Sequence, residues 1–236
     1  MSILREASGA EPGCVLSTGG TTVESFPRLC FDRGVAVLAL LLWLPVSAAI
    51  GIAIWLEDGR PILFRQTRIG RGGRPFRLVK FRSMYNHRGG PDVTSSGDRR
   101  ITRIGRFLRR YKLDEVPQLW NVLVGDMNLV GPRPEVPAYV EMSNALWKAI
   151  LRVRPGLTDL ATLLYRDEEL ILAGYADPER AYREAILPAK LGLNLEYLAK
   201  RSFARDLRLL ALTVVYSLLP GMFNPSRARR LILFED

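Results

Sequence analysis

Apolar positions change their spacing along this chain, and each change predicts a different element. From Val35 to Leu56 no residue is charged, and apolar side chains occupy every helical face. Those 22 positions would form a helix of roughly 33 Å, enough to cross a hydrocarbon core. Downstream, Pro61–Gln66 reads as extended, residues 70–75 (GRGGRP) carry turn chemistry, and Phe76–Met84 resumes an extended run, which predicts a short β-hairpin. Ile101, Ile104, Leu108 and Tyr111 then recur at helical spacing within Arg99–Lys112, with Arg99, Arg103, Arg106 and Arg110 on another side. Val116, Leu119, Trp120 and Leu123 give the apolar face of a further helix, with Pro117 in its first turn. Residues 178–219 predict more helices. Their apolar run Leu207–Leu219 is too short to span and is expected to pack on the domain core or at the membrane interface.

The expected organisation is a flexible tail rich in Gly, Ser and Thr (1–27), a membrane helix (28–58) and a catalytic portion (59–236) carrying interfacial amphipathic helices. The tail lacks the basic start and adjoining apolar core of a secretory signal. Pro45 breaks the backbone hydrogen bonding of the apolar helix and bends it. Arg28 and Arg33 precede that helix, and Arg60, Arg65 and Arg68 follow it. Positive charge favours the cytoplasmic side, so both flanks point to one face. A straight span and a bent, re-entrant helix both remain open on these grounds.

Charge and composition narrow the chemistry. Thirty-four Lys and Arg against 24 Asp and Glu leave a net charge of +10, suited to anionic headgroups, phosphate-bearing substrates or nucleic acid. No helix-turn-helix, zinc-finger or RNA-binding pattern accompanies the basic faces, so nucleic acid is not an expected partner. The two cysteines, Cys14 and Cys30, are in no CxxC arrangement, and the only histidine, His87, sits in a glycine-rich stretch. A zinc site and histidine-based acid–base chemistry are therefore not expected.

Asp114 and Glu115 lie at or just before the predicted helix led by Pro117. Taken alone, such a pair caps free backbone N–H groups. The same location favours ionised carboxylate, which can act as a nucleophile toward phosphorus or as a Mg²⁺ ligand. Arg109 and Arg110 stand just upstream, and residues 131–134 (Gly-Pro-Arg-Pro) hold Arg133 in a proline-fixed turn. Guanidinium suits phosphate because its planar fork makes paired hydrogen bonds.

The order of these features resembles the monotopic phosphoglycosyl transferases of the bacterial sugar transferase family. The similar stretches are PILFRQTRIGRGGRPFRLVKFRSM (61–84), RITRIGRFLRRYKLDEVPQLWNVLVGDMNLVGPRPE (100–135) and VRPGLTD (153–159), which with the apolar helix cover most of residues 31–160. The resemblance implies an α+β, mostly helical fold. A compact catalytic domain with a short β-hairpin would be anchored by an N-terminal re-entrant helix kinked at Pro45, where relatives carry Ser-Pro and this chain has Leu44-Pro45. It implies Asp114 as nucleophile, Glu115 as its partner in holding Mg²⁺, and Lys80, Arg109 and Arg133 as phosphate contacts. It also implies a UDP-sugar donor, a polyprenyl (undecaprenyl) phosphate acceptor and the cytoplasmic face of a bacterial inner membrane. Asp159–Thr162 departs from the Gly-Trp-Ala-Gln common among relatives, so the sugar is not assigned. No heptad or repeat sets an oligomeric state, and a homo-oligomer is compatible with the sequence. The rival from another class is a membrane-anchored, non-catalytic basic protein binding anionic lipid or nucleic acid, which leaves Asp114 and Arg133 without a role.

Overall fold

A computed structural model describes residues 26–85, 94 and 97–233; His87 and all but the last two residues of the expected tail lie outside them. Helix α1 spans Phe26–Asp58 and continues through Pro45. By length and composition it could cross a membrane, and only 17% of its most apolar window is buried. Its two ends pack on the rest of the chain. Near the start, Phe31, Val35 and Ala36 meet Leu119, Val122 and Leu129. Near the end, Ile50 and Ile54 meet Phe81 and Leu108. Between them, residues 41–49 include no buried position.

The end of α1 is tied down by charge. Arg82 donates to the carbonyls of Asp58 and Gly59, both at 2.9 Å, and pairs with the Asp58 carboxylate at 3.2 Å. Cationic donors there satisfy the last carbonyls and oppose the negative pole of the helix. The hairpin expected from the sequence follows: β1 (Leu63–Ile69) pairs antiparallel with β2 (Pro75–Phe81), from Leu63 opposite Phe81 to Ile69 opposite Pro75. Its turn uses Gly72 and Gly73 at φ of 67° and 77°, a region open to glycine at little cost.

Helix α2 covers Arg103–Arg110, four residues later than the periodicity predicts, because Thr102 caps it through the N–H of Gly105 at 2.8 Å. Glu57, at the end of α1, accepts from the N–H groups of Arg103 and Ile104 at 2.7 and 3.0 Å. Two helix ends are thereby joined by one carboxylate. Helix α3 (Gln118–Val124) lies against β2, and its Asn121 side chain serves the strand's open edge. It accepts from the Val79 N–H at 3.1 Å and donates to the Arg77 carbonyl at 2.8 Å.

A second sheet leaves no mark in the hydrophobic pattern of the chain. β3 (Asn128–Val130) pairs parallel with β4 (Gly156–Thr158), each too short to leave an alternating pattern. The remaining helices are α4 (Ala145–Ile150), α5 (Leu160–Leu164), α6 (Glu168–Ala173), α7 (Pro178–Ala181), α8 (Leu187–Ala199), α9 (Phe203–Leu218) and α10 (Pro225–Leu233), with a π turn at Tyr182–Ile186. One apolar cluster joins α4, α5 and α8 through Trp147, Ala161 and Leu191; another joins α5, α9 and α10 through Leu160, Leu209 and Ile232. The Leu207–Leu219 run is core on one side only: Leu209 and Tyr216 are buried, while Leu207, Val214 and Leu218 are exposed. The fold is thus mostly helical, with two small sheets, of which β3 is buried throughout and β1 has no buried position.

Strands β3 and β4 approach closely at two glycines, Gly131 just after β3 and Gly156 at the start of β4. A Cβ on Gly156 would collide with the backbone N and O of Gly131, whose N–H bonds the Thr158 carbonyl at 3.0 Å. Gly156→Ala is expected to cost about 1–3 kcal/mol, as overpacking does, and so to lower the thermal midpoint by several degrees at ~2–4 °C per kcal/mol. Thermal unfolding in detergent checks this; an unchanged midpoint contradicts the close approach.

Candidate functional site

The chain leaves α2 through Lys112, a non-glycine residue in left-handed geometry with φ of 56°. Such backbone is sparsely populated and persists only where surroundings hold it. It turns the chain into a single 3₁₀ turn, Leu113–Glu115, three residues ahead of α3. Asp114 and Glu115 therefore precede the helix as expected, but Pro117 immediately precedes α3 and is not its first residue, and neither carboxylate caps α3. Leu113 and Val116, on either side of the pair, pack with Phe81 and Leu108.

Glu115 holds two cations from distant segments. Its Oε1 accepts from Arg133 Nη2 at 2.5 Å and Lys80 Nζ at 3.2 Å, and its Oε2 accepts from Arg133 Nη1 at 3.3 Å. Burial pushes the Glu115 carboxyl up, but Arg133 and Lys80 outweigh it and hold it well below the usual carboxylate range. The Glu115 charge raises Arg133 further, against its burial. Lys80 goes the other way. Burial lowers its ammonium to about 8, with Glu115 offsetting part of the drop and Arg133 adding to it.

Asp114 is buried within the electrostatic reach of Lys80, and its Oδ1 has no hydrogen-bond partner. An unpartnered buried carboxylate oxygen calls for a ligand. Mg²⁺ binds through one or two carboxylates with substrate phosphates and water completing its shell, so Asp114 fits such an ion. Glu115 has both oxygens occupied by Arg133 and Lys80, and could join the ion only by releasing one of those bonds. Among the described residues no set of three or more His, Cys, Asp or Glu side chains converges.

Backbone bonds fix Arg133. In residues 131–134 only Gly131 and Arg133 own an N–H. Gly131 donates to Thr158, and Arg133 donates to Asp159 Oδ2 at 2.8 Å. Asp159 also caps α5, accepting from the Thr162 N–H at 2.6 Å and the Thr162 hydroxyl at 2.8 Å. Burial raises its carboxyl, with the Thr162 hydrogen bonds opposing. The departing Asp159–Thr162 stretch thus supports the Arg133 turn.

A further polar layer escaped sequence reading. Arg68 donates to the Pro134 carbonyl at 3.2 Å and pairs with Glu135 at 3.5 Å; Tyr182 donates to Glu135 at 2.7 Å; Lys190 pairs with Glu168 at 2.8 Å. Only Arg68 carried a signal, as one cation of a basic run; Glu168, Tyr182 and Lys190 arrive from helices far along the chain.

Of the predicted site residues, the fold gathers Lys80, Asp114, Glu115 and Arg133. Arg109 makes its contacts elsewhere, donating to Ser83 Oγ at 3.0 Å and pairing with Glu169 at 2.6 Å. Pro45 lies within the exposed middle of α1. The gathered set can bind an anion such as phosphate on the N–H groups of the two cations that Glu115 leaves open, and present the Asp114 carboxylate to it.

The bacterial sugar transferase family profile matches residues 23–219. The UDP-glucose:undecaprenyl-phosphate glucose-1-phosphate transferase of Caulobacter vibrioides is 40% identical over 188 residues, 78% of this chain and 66% of the relative. An enzyme of the same name in Escherichia coli is 34% identical over 219 residues, 90% of this chain and 45% of that one. A UDP-N-acetylgalactosamine-undecaprenyl-phosphate N-acetylgalactosaminephosphotransferase of Aeromonas hydrophila is 37% identical over 150 residues, 61% of this chain and 35% of the other. The chain therefore spans about a third to two thirds of the length of these relatives.

Proposed function

Because the chain belongs to the bacterial sugar transferase family, we propose that it moves a sugar 1-phosphate from a UDP-sugar to undecaprenyl phosphate at the cytoplasmic face of the inner membrane. The observation carrying this reading is the buried Asp114 carboxylate, with one oxygen unpartnered, beside the Lys80–Glu115–Arg133 cluster. The relatives' names supply the donor and acceptor classes, and they differ in the sugar.

The reaction runs in two displacements. A carboxylate oxygen of Asp114 attacks the β-phosphorus of the donor, the bond from that phosphorus to the bridging oxygen breaks, and UMP leaves. A phosphate oxygen of the acceptor then attacks the same phosphorus and the Asp114–phosphorus bond breaks, giving the polyprenyl diphosphate sugar. Dividing the transfer lets a soluble donor and a lipid acceptor use one site in turn. Lys80 and Arg133 offset charge on the phosphoryl oxygens, with Glu115 holding both cations in place. Bound Mg²⁺ would be held by Asp114, with Glu115 joining only on releasing Arg133 or Lys80, and would neutralise donor diphosphate charge. Arg109, fixed by Ser83 and Glu169, acts on phosphate after leaving Glu169.

The membrane geometry belongs to the same reading. Both ends of α1 pack on neighbouring clusters that share Val116, whereas residues 41–49 around Pro45 have no buried position. A re-entrant helix bent at Pro45 accounts for this, with its apex in the bilayer and residues 59–236 as the catalytic portion at headgroup depth. Exposed Phe107 and Trp120, with the basic side of α2, suit the interface.

Asp114→Asn should lower UMP release from UDP-glucose or UDP-N-acetylgalactosamine, with undecaprenyl phosphate and Mg²⁺ present, by at least about four orders of magnitude, since an amide cannot form the phosphoryl bond. An active variant removes the mechanism. No release by the unaltered protein across a donor panel would favour a non-catalytic lipid-binding role.

Lys80 gives a pH test. Its folded value of about 8 lies below the usual 10.5, so its charge is lost as pH rises through about 8. The kcat/KM for the donor should fall above that pH, while kcat holds to higher pH because bound phosphate favours the ammonium. Lys80→Arg should abolish the alkaline fall. A profile identical in both proteins contradicts the assignment.

A further inference from the structure

A cavity of ≈ 490 Å³ opens between the second half of α1 and the first residues of the hairpin, away from the carboxylate pair. Its walls include Ala48, Gly51 and Trp55 on one face of α1, Ile62 across from them, and Phe81 at its inner side. Arg60 is its only charged lining residue, with the Ser47 hydroxyl and the Trp55 indole N–H its only other polar side-chain groups. Gly51 lines the cleft without a side chain; a Cβ there would make an ordinary contact with Ile62 at 3.5 Å. Phe81 also packs with Leu113 and Val116, the two residues flanking Asp114 and Glu115. One layer of side chains therefore separates this cleft from the catalytic turn. Arg60 is exposed and makes no ion pair among the described residues.

We propose that this cleft is where the polyprenyl phosphate acceptor first docks from the bilayer, its leading isoprene units between α1 and Ile62 and its phosphate on Arg60, before the phosphate moves on to Asp114 for the second displacement. The volume falls within the range of small-molecule sites, ~300–1,000 Å³. Its apolar walls and single guanidinium match a ligand that is hydrocarbon for most of its length and dianionic at one end. A nucleotide-sugar fits poorly, because the lining has almost no groups to hydrogen-bond a base or sugar. The cleft also faces the part of α1 that bears the exposed apolar side chains Ile52, Trp55 and Leu56, where a membrane-borne ligand arrives laterally. This assignment rests on the acceptor class proposed above and adds the place where that acceptor binds.

The test is photolabelling of the full chain in phospholipid nanodiscs with a polyprenyl phosphate carrying a diazirine in its first isoprene units, without donor. Labels are expected on peptides containing Ala48–Trp55 and Ile62–Leu63, suppressed by unlabelled undecaprenyl phosphate and not by equal phosphatidylglycerol. Ala48→Trp, which fills the cleft, should cut labelling about tenfold, the effect of losing contact for about two methylenes. Leu41→Trp, on the exposed stretch of the same helix, should label as the unaltered chain does. Arg60→Gln should raise the acceptor KM about tenfold. Labels confined to residues 37–46, equal suppression by phosphatidylglycerol, or undiminished labelling of Ala48→Trp would each overturn the proposal. Labelling needs no turnover, so a protein that labels here but releases no UMP would sink the catalytic reading alone, and the converse result would sink this one alone.

Discussion

Glu115 sits between a guanidinium and an ammonium that would otherwise lie half-buried and close together without compensation. Arg133 comes from the turn after β3, Lys80 from the last strand of the hairpin, and Glu115 from the turn leaving α2. Two like charges in a poorly solvated space repel strongly, and one carboxylate shared between them makes the arrangement tolerable. That constraint explains the surrounding detail. Asn121 pins β2 by its edge, Asp159 pins the Arg133 backbone, and Lys112 accepts left-handed geometry so that Glu115 arrives between the cations. Asp114, one residue earlier on the same turn, is delivered beside the cations with an oxygen free. In the proposed reaction Glu115 is a positioning residue and Asp114 the reacting group.

The apolar helix α1 and the candidate site are coupled through packing. The start of α1 rests on α3, and its end rests on Phe81 and Leu108. Val116, directly after the carboxylate pair, touches both groups. In the proposed reading anchoring and catalysis share side chains: the depth of α1 in a bilayer would set the depth of Asp114. Arg82 and Glu57, which tie the end of α1 to the hairpin and to α2, make that link stiff.

Local patterns carried much of this into the sequence. The uncharged run of α1, the glycine turn of the hairpin and the helical spacing of Ile104 and Leu108 each reflect one element meeting one environment, and each was readable. Lys80, Asp114, Glu115 and Arg133 were found because ordered motifs placed them, although spacing alone could not say that they meet. What stayed hidden was non-local. The β3–β4 pairing joins two three-residue strands 26 or more positions apart, too short for any period. Tyr182, Lys190 and Glu168 enter the polar layer from helices whose sequences show only apolar periodicity. Arg109 is singled out by its place before Asp114, and the Glu169 carboxylate that its side chain meets, 60 positions on, is a partner that no local pattern reveals.

The central claim is that Asp114 becomes bonded to phosphorus. Intact-protein mass measurement after incubation with UDP-sugar and Mg²⁺, with acceptor withheld, tests it most directly. The account predicts a mass gain of one sugar phosphate, mapping by fragmentation to Asp114 and discharged when undecaprenyl phosphate is added. Turnover with acceptor present, but no adduct at any quench time, would contradict it and make the transfer a single direct step.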